Sequence, residues 1–229
     1  MKKTVIFALM ILVCTLFLGC PLNPRTMVPK SSEQICSYMT EKFGGTFEVI
    51  SNQTTNNDTQ KLNKVLMSCS QLPGKTIITT HGFEETIFGW QETFTTNYNR
   101  LYYKSAIEAA YDDLIDDWFG DFEYKAVFAN PNTAESVVKY SSFQEYLDGT
   151  ISFIVYKVVI KVPDASTKNA AIIKAHSVAY DISNETDYQI SLDLYLWENE
   201  TSYLALDDDD IAELERSHEY IYDDVTLWN

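Results

Sequence analysis

Histidine, cysteine and glycine are scarce in this 229-residue chain, with three, four and eight copies respectively. Of the three histidines, His81, His176 and His218, the last two have no metal-ligating partner at i+4, and no His-Glu-x-x-His occurs. No Cys-x-x-Cys and no Cys/His pair at ligand spacing is present, so a structural zinc site is not supported. The few glycines form neither a phosphate-binding loop nor Gly-x-Ser-x-Gly. No cofactor is expected. Basic residues are also short, 17 Lys and Arg against 33 Asp and Glu, for a net charge of −16. A field of that sign repels phosphate backbones, which argues against nucleic acid as a partner. The densest acidic stretch, the four aspartates 207–210, lacks the glycine and ligand spacing of an EF-hand. It reads instead as a helix N-cap and first turn, favoured by the helix dipole.

What is present begins with a leader. Lys2 and Lys3 precede an apolar run over residues 4–18, and Pro21 and Pro24 follow closely. The run is shorter than the ~20 residues of a spanning helix, which gives residues 1–19 the form of a secretory signal peptide. Leu16-Phe17-Leu18-Gly19-Cys20 resembles the lipobox of bacterial prolipoproteins, with Leu16 one place earlier than is usual there. That resemblance implies a lipid-modified Cys20 as the mature N-terminus, a membrane partner through that lipid, and an extracytoplasmic location at the cell surface. Residues 20–30, with three prolines, are expected to be an extended tether, and 31–229 a single domain or two related αβ halves. Two cysteines remain in that region, Cys36 and Cys69. In an exported chain the pair reads as a disulfide closing a loop of about 33 residues, worth roughly 3.5 kcal/mol, with two buried thiols as the alternative.

Ser31-x-x-Gln34 opens a helix with Ile35, Met39 and Phe43 on one face, stopped at Gly44-Gly45. Strands are expected at 46–51, 65–70 and 75–81, the last two joined by a type II turn at Pro73-Gly74, with residues 52–63 as a polar surface loop. The spacing of Tyr103, Ile107, Tyr111, Leu114 and Trp118 predicts a helix, whose polar face includes Lys104, Glu108 and Asp112. A strand at 122–129, a capped helix from Ser142, a buried strand at 151–162, a helix capped by Asp164 and a period-two strand at 188–196 follow. The fold class is α+β: a mixed, largely antiparallel sheet covered by two main helices.

His81 stands at a strand end near Glu84 and Glu85, where an acid/base pair is conceivable, although His beside Glu in a turn is usually a solvated loop. Aromatics concentrate at Phe88, Trp90, Phe94, Tyr98, Tyr102 and Tyr103, and burial is the favoured reading because they run into the main helix. The expected function is a non-catalytic surface binding module for a protein, peptide or glycan. The alternative is a small extracellular or cell-wall enzyme centred on His81 and Glu84.

Overall fold

The computed structural model of the chain describes residues 27–150, 154–184, 190–214, 220–222 and 225–228. The fold is α+β, and the chain divides into two compact units, Met1–Thr96 and Asn97–Asn229.

In the first unit, α1 (Ser32–Phe43) starts at Ser31, whose hydroxyl accepts from the Gln34 N–H while the Gln34 side chain accepts from the Ser31 N–H. That reciprocal cap satisfies two of the helix's orphan donors. Ile35, Met39 and Phe43 are buried, and Gly44, at φ 79°, ends the helix. An antiparallel meander follows: β1 (Phe47–Asn56), β2 (Gln60–Cys69), β3 (Ile77–Thr86) and β4 (Gly89–Thr96), each paired with the next. Val65, Met67, Cys69, Ile77, Thr79 and His81 form its buried face.

Residues 52–63, expected as a loop, are mostly hairpin. The Asn57 carboxamide oxygen accepts from the N–H groups of Thr59 and Gln60, which closes a tight turn and lets both strands continue. Their polar composition reflects exposure of β1 rather than absence of pairing. The type II turn forms as expected, with Gly74 at φ 75° and Lys75 N–H donating to Leu72 O at 3.1 Å. Gly82 is required by close approach, since a Cβ there meets the Lys61 carbonyl and the Leu62 backbone on β2. Residues 27–30, read from the sequence as the end of the tether, lie on this sheet. Met27 is buried, the Lys30 N–H donates to His81 Nδ1 at 3.0 Å, and Asn63 Nδ2 donates to the Lys30 carbonyl at 3.0 Å.

The second unit contains α2 (Tyr98–Tyr102), α3 (Lys104–Phe119), β5 (Tyr124–Phe128), β6 (Glu135–Ser136), α4 (Phe143–Gly149), β7 (Ile154–Lys161), α5 (Ala165–Asn184), β8 (Ile190–Trp197), α6 (Glu200–Ala205), α7 (Asp208–Glu213), β9 (Tyr220–Tyr222) and β10 (Val225–Trp228). Its mixed sheet has the order β5-β7-β8-β10-β9, with β7, β8 and β10 parallel and β5 antiparallel on β7. The parallel β7–β8 pair requires a crossover, which α5 supplies. Alternation then sorts the side chains. Tyr156, Val158, Ile160, Leu192 and Leu194 face the main core with α3 and α5, so two long helices cover one face.

Val159 and Tyr195 face the other way and pack with Tyr203 of α6 and Ile211 of α7. Two lysines on that second face fix the short helices. Lys125 Nζ donates to the carbonyls of Tyr203 (3.0 Å) and Leu206 (2.6 Å), and Lys157 Nζ to those of Ala212 (2.7 Å) and Leu214 (2.6 Å). Each ammonium thus satisfies the orphan carbonyls at a helix C-terminus, where the dipole also favours a cation. Elsewhere in the unit, Arg100 is fully buried. Its Nε donates to Glu135 Oε1 at 2.8 Å and its Nη1 to Asn130 Oδ1 at 2.9 Å.

Residues 42–48 and 118–123 both run from a helix end through an aromatic and a glycine to Phe-Glu, the sequence basis for two related halves, but the likeness stops there. Gly44 has positive φ whereas Gly120 is right-handed helical, and β1 pairs with its neighbour in the chain while β5 pairs with β7.

Candidate functional site

Period two on β3 places His81 and Glu84 on opposite faces of the sheet. Glu84 accepts from Gln60 Nε2 at 3.2 Å on β2. His81 is 1% exposed, so its ring has no access to a reactant. Because Nδ1 accepts the Lys30 N–H, the proton resides on Nε2, which donates to Glu92 Oε1 at 2.9 Å. Burial holds the His81 pKa below its ordinary 6.5, with the nearby Lys30 charge adding to that and the Glu92 carboxylate opposing it. The neutral ring is a pin for residues 27–30, and the structure does not join it to Glu84.

Cys36 and Cys69 are both thiols. Cys36 Sγ donates to the Phe47 carbonyl at 2.7 Å, and Cys69, which is buried, is Phe47's register partner on β2. Burial, reinforced by Glu48 and Glu33, raises the Cys36 pKa. Cys20 and His218 lie outside the described residues, and His176 is exposed on α5. The aromatic cluster separates by position. In the first unit Phe94 packs edge-on against His81, but Phe88 is 84% exposed beside Ile87 at the β3–β4 turn, contrary to the expectation of burial. In the second, Tyr98 is buried and Tyr102 half exposed.

A cleft of about 480 Å³ lies along β5 in the second unit. Residues 126–129, at the end of β5, line it between two helical walls. One wall is a stripe of α3, Lys104, Glu108 and Asp112 at successive i+4 positions, and the other is α7 with Asp208, Asp209 and Glu213. Lys104 is paired with Glu108 at 3.1 Å, so one of five carboxylates has a cation on its own helix. Asp112 accepts from Tyr156 OH at 3.2 Å. Burial raises its pKa, the Tyr156 bond opposes that, and the charges of Glu108 and Asp113 add to it. The α7 wall is fixed from below by the Lys157 cap and at its start by Asp207, whose carboxylate accepts from the Asp210 N–H at 2.8 Å. The aspartate run is thus an N-cap and first turn. Among the described residues no group of three or more His, Cys, Asp or Glu side chains is arranged to hold a metal ion.

The residues of both walls were visible in the sequence as polar helix faces. Their convergence on one strand was not, because nothing in residues 124–128 says that β5 is at the edge of its sheet.

The chain matches no protein-family model, no curated protein and no solved structure.

Proposed function

We propose that this protein is a non-catalytic binding module, displayed at the extracytoplasmic face of a membrane through a lipid on Cys20, whose acidic cleft along β5 takes a cationic ligand. The observation that carries the reading is the convergence of Glu108, Asp112, Asp208, Asp209 and Glu213 on one cleft with Lys104 as its cation. Five carboxylates facing a concave surface raise the local concentration of cations and speed their encounter. His81, the candidate base in the sequence, is instead engaged with Lys30 and Glu92, which favours the binding reading over the enzyme one.

Calorimetric titration of the full chain with hexalysine at low ionic strength tests the site. Binding is expected, weakening steeply with salt because exposed charge pairs are screened beyond about 10 Å at 0.1 M. Asp208→Asn with Asp209→Asn weakens it by roughly 2- to 30-fold, at about 0.2–1 kcal/mol for each of the two exposed pairs. No heat of binding at low salt, or binding untouched by the double substitution, removes the cleft as the site. Mass spectrometry of the native N-terminus tests the anchor separately, and an unmodified residue 20 would discard it.

A further inference from the structure

We infer that the cleft ligand is an extended, basic peptide segment that adds to β5 as a further strand of the sheet; this rests on the cationic-ligand reading above and names the backbone as its second determinant. β5 is the first strand in its sheet's order, with β7 on one side. Two hydrogen bonds bracket it, Lys161 N–H to Glu123 O at 2.9 Å and Ala129 N–H to Val155 O at 2.8 Å. In an antiparallel ladder the bonded pairs alternate, so Lys125 and Val127 are the residues turned toward β7. The N–H and C=O groups of Ala126 and Phe128 are directed the other way, off the sheet's edge and into the cleft that residues 126–129 line.

Side chains of a strand laid on that edge would alternate between the two faces of the sheet, one set toward the α3 wall and the next toward the α7 wall. Both walls are acidic, so basic residues are favoured at every position of the incoming segment. Main-chain pairing supplies affinity and the carboxylates supply selection, the division of labour seen when a peptide augments a sheet. The same carboxylates disfavour the other natural occupant of an open edge, a second copy of this chain, which would bring identical acidic walls and a net charge of −16.

Hydrogen exchange by NMR on the full chain, with acetylated and amidated hexalysine as probe, reads strand addition directly. In the free protein the Ala126 amide is expected to exchange fast and those of Lys125 and Val127 slowly. Saturating hexalysine is expected to slow Ala126 or Phe128 at least 10-fold. A hexalysine N-methylated at every residue keeps the charge and loses the donors, so it should bind at least 10-fold more weakly. Ala126→Pro removes only an outward donor, a change edge strands tolerate, and should weaken hexalysine to the same degree.

Equal affinity of the two peptides with no slowing at Ala126 or Phe128 overturns strand addition while leaving the cationic site intact. Binding of neither peptide overturns both readings. Protection of these amides in the free protein, together with a dimer in sedimentation, assigns the edge to a second copy and also overturns the inference.

Discussion

Replacing Glu135 with alanine leaves the buried Arg100 guanidinium without its carboxylate. The two side chains are 0% and 8% exposed, and Glu135 Oε1 accepts not only from Arg100 Nε at 2.8 Å but from Thr150 Oγ1 at 2.8 Å and Tyr146 OH at 3.2 Å. Asn130 Oδ1 still accepts from Arg100 Nη1, which softens the loss without neutralising the charge. Removing one partner of a buried ion pair costs about 3–5 kcal/mol, because the remaining ion has left water without compensation. At 1.4 kcal/mol per decade, the slowest amides of β7 and β8 should lose roughly two to three and a half orders of magnitude of protection. Hydrogen exchange followed by mass spectrometry on peptides from those strands isolates the effect to the second unit. Converting both partners, Arg100→Met with Glu135→Leu, should cost less than Glu135→Ala alone, since no bare charge stays behind. A loss under 10-fold for Glu135→Ala, or a double variant as damaged as the two singles summed, would refute the assignment of this pair as a dry, coupled network.

Acid should weaken the first unit through His81. Its folded pKa lies below 6.5, so the unfolded chain binds the proton first, and the contribution is complete above about pH 6.5 and lost as pH falls from there through the lowered folded value. Urea midpoints followed through Trp90 should drop across that interval, and His81→Gln should flatten the slope. Ligand binding in the cleft should also weaken on acidification, because Asp112, whose pKa is raised by burial, takes up a proton before an ordinary aspartate does; an unchanged pH profile in Asp112→Asn would show that another group is responsible. With Cys36 and Cys69 as thiols, both should react with a thiol reagent in denaturant without prior reduction, and Cys36, its pKa raised by burial, only slowly in native buffer. Mass spectrometry showing a bridge would contradict this. Gly82→Ala should destabilise the β2–β3 pairing by about 1–3 kcal/mol, as overpacking does, and a thermal midpoint equal to wild type would mean the strands part at no cost.

Helices capped by local chemistry were legible in the sequence. Ser31, Ser142 and Asp164 each carry the oxygen that accepts an early helical N–H, and each does so. The interior strands were legible too, residues 154–161 as part of a nearly continuous apolar run and 190–196 by period-two alternation. Residues 52–63 were misread because an exposed hairpin strand carries no hydrophobic alternation, only the turn at Asn57. The cleft escaped for a different reason. Its carboxylates lie on α3 and α7, separated in the chain by the strands β5 to β8 and the helices between them, and only the pairing order of the sheet brings them to one edge. The aromatic cluster misled because chain proximity to a core helix is not contact with it, and Phe88 occupies a turn whose geometry requires only Gly89, at φ 97°.

The two strand arrangements also imply unequal folding speeds. In the meander every pairing is between neighbours in sequence, across turns as short as Ile87-Phe88. In the mixed sheet Ile154 must find Ile190 across the whole of α5, and β5 must wait for β7. Closing long loops before any contact rewards them slows folding more than it lowers stability. Refolding should accordingly show a fast phase reported by Trp90 and a slower one reported by Trp118. During synthesis the quick-folding unit emerges first, so the pin between His81 and Lys30 is set while β7 and β8 are still unpaired.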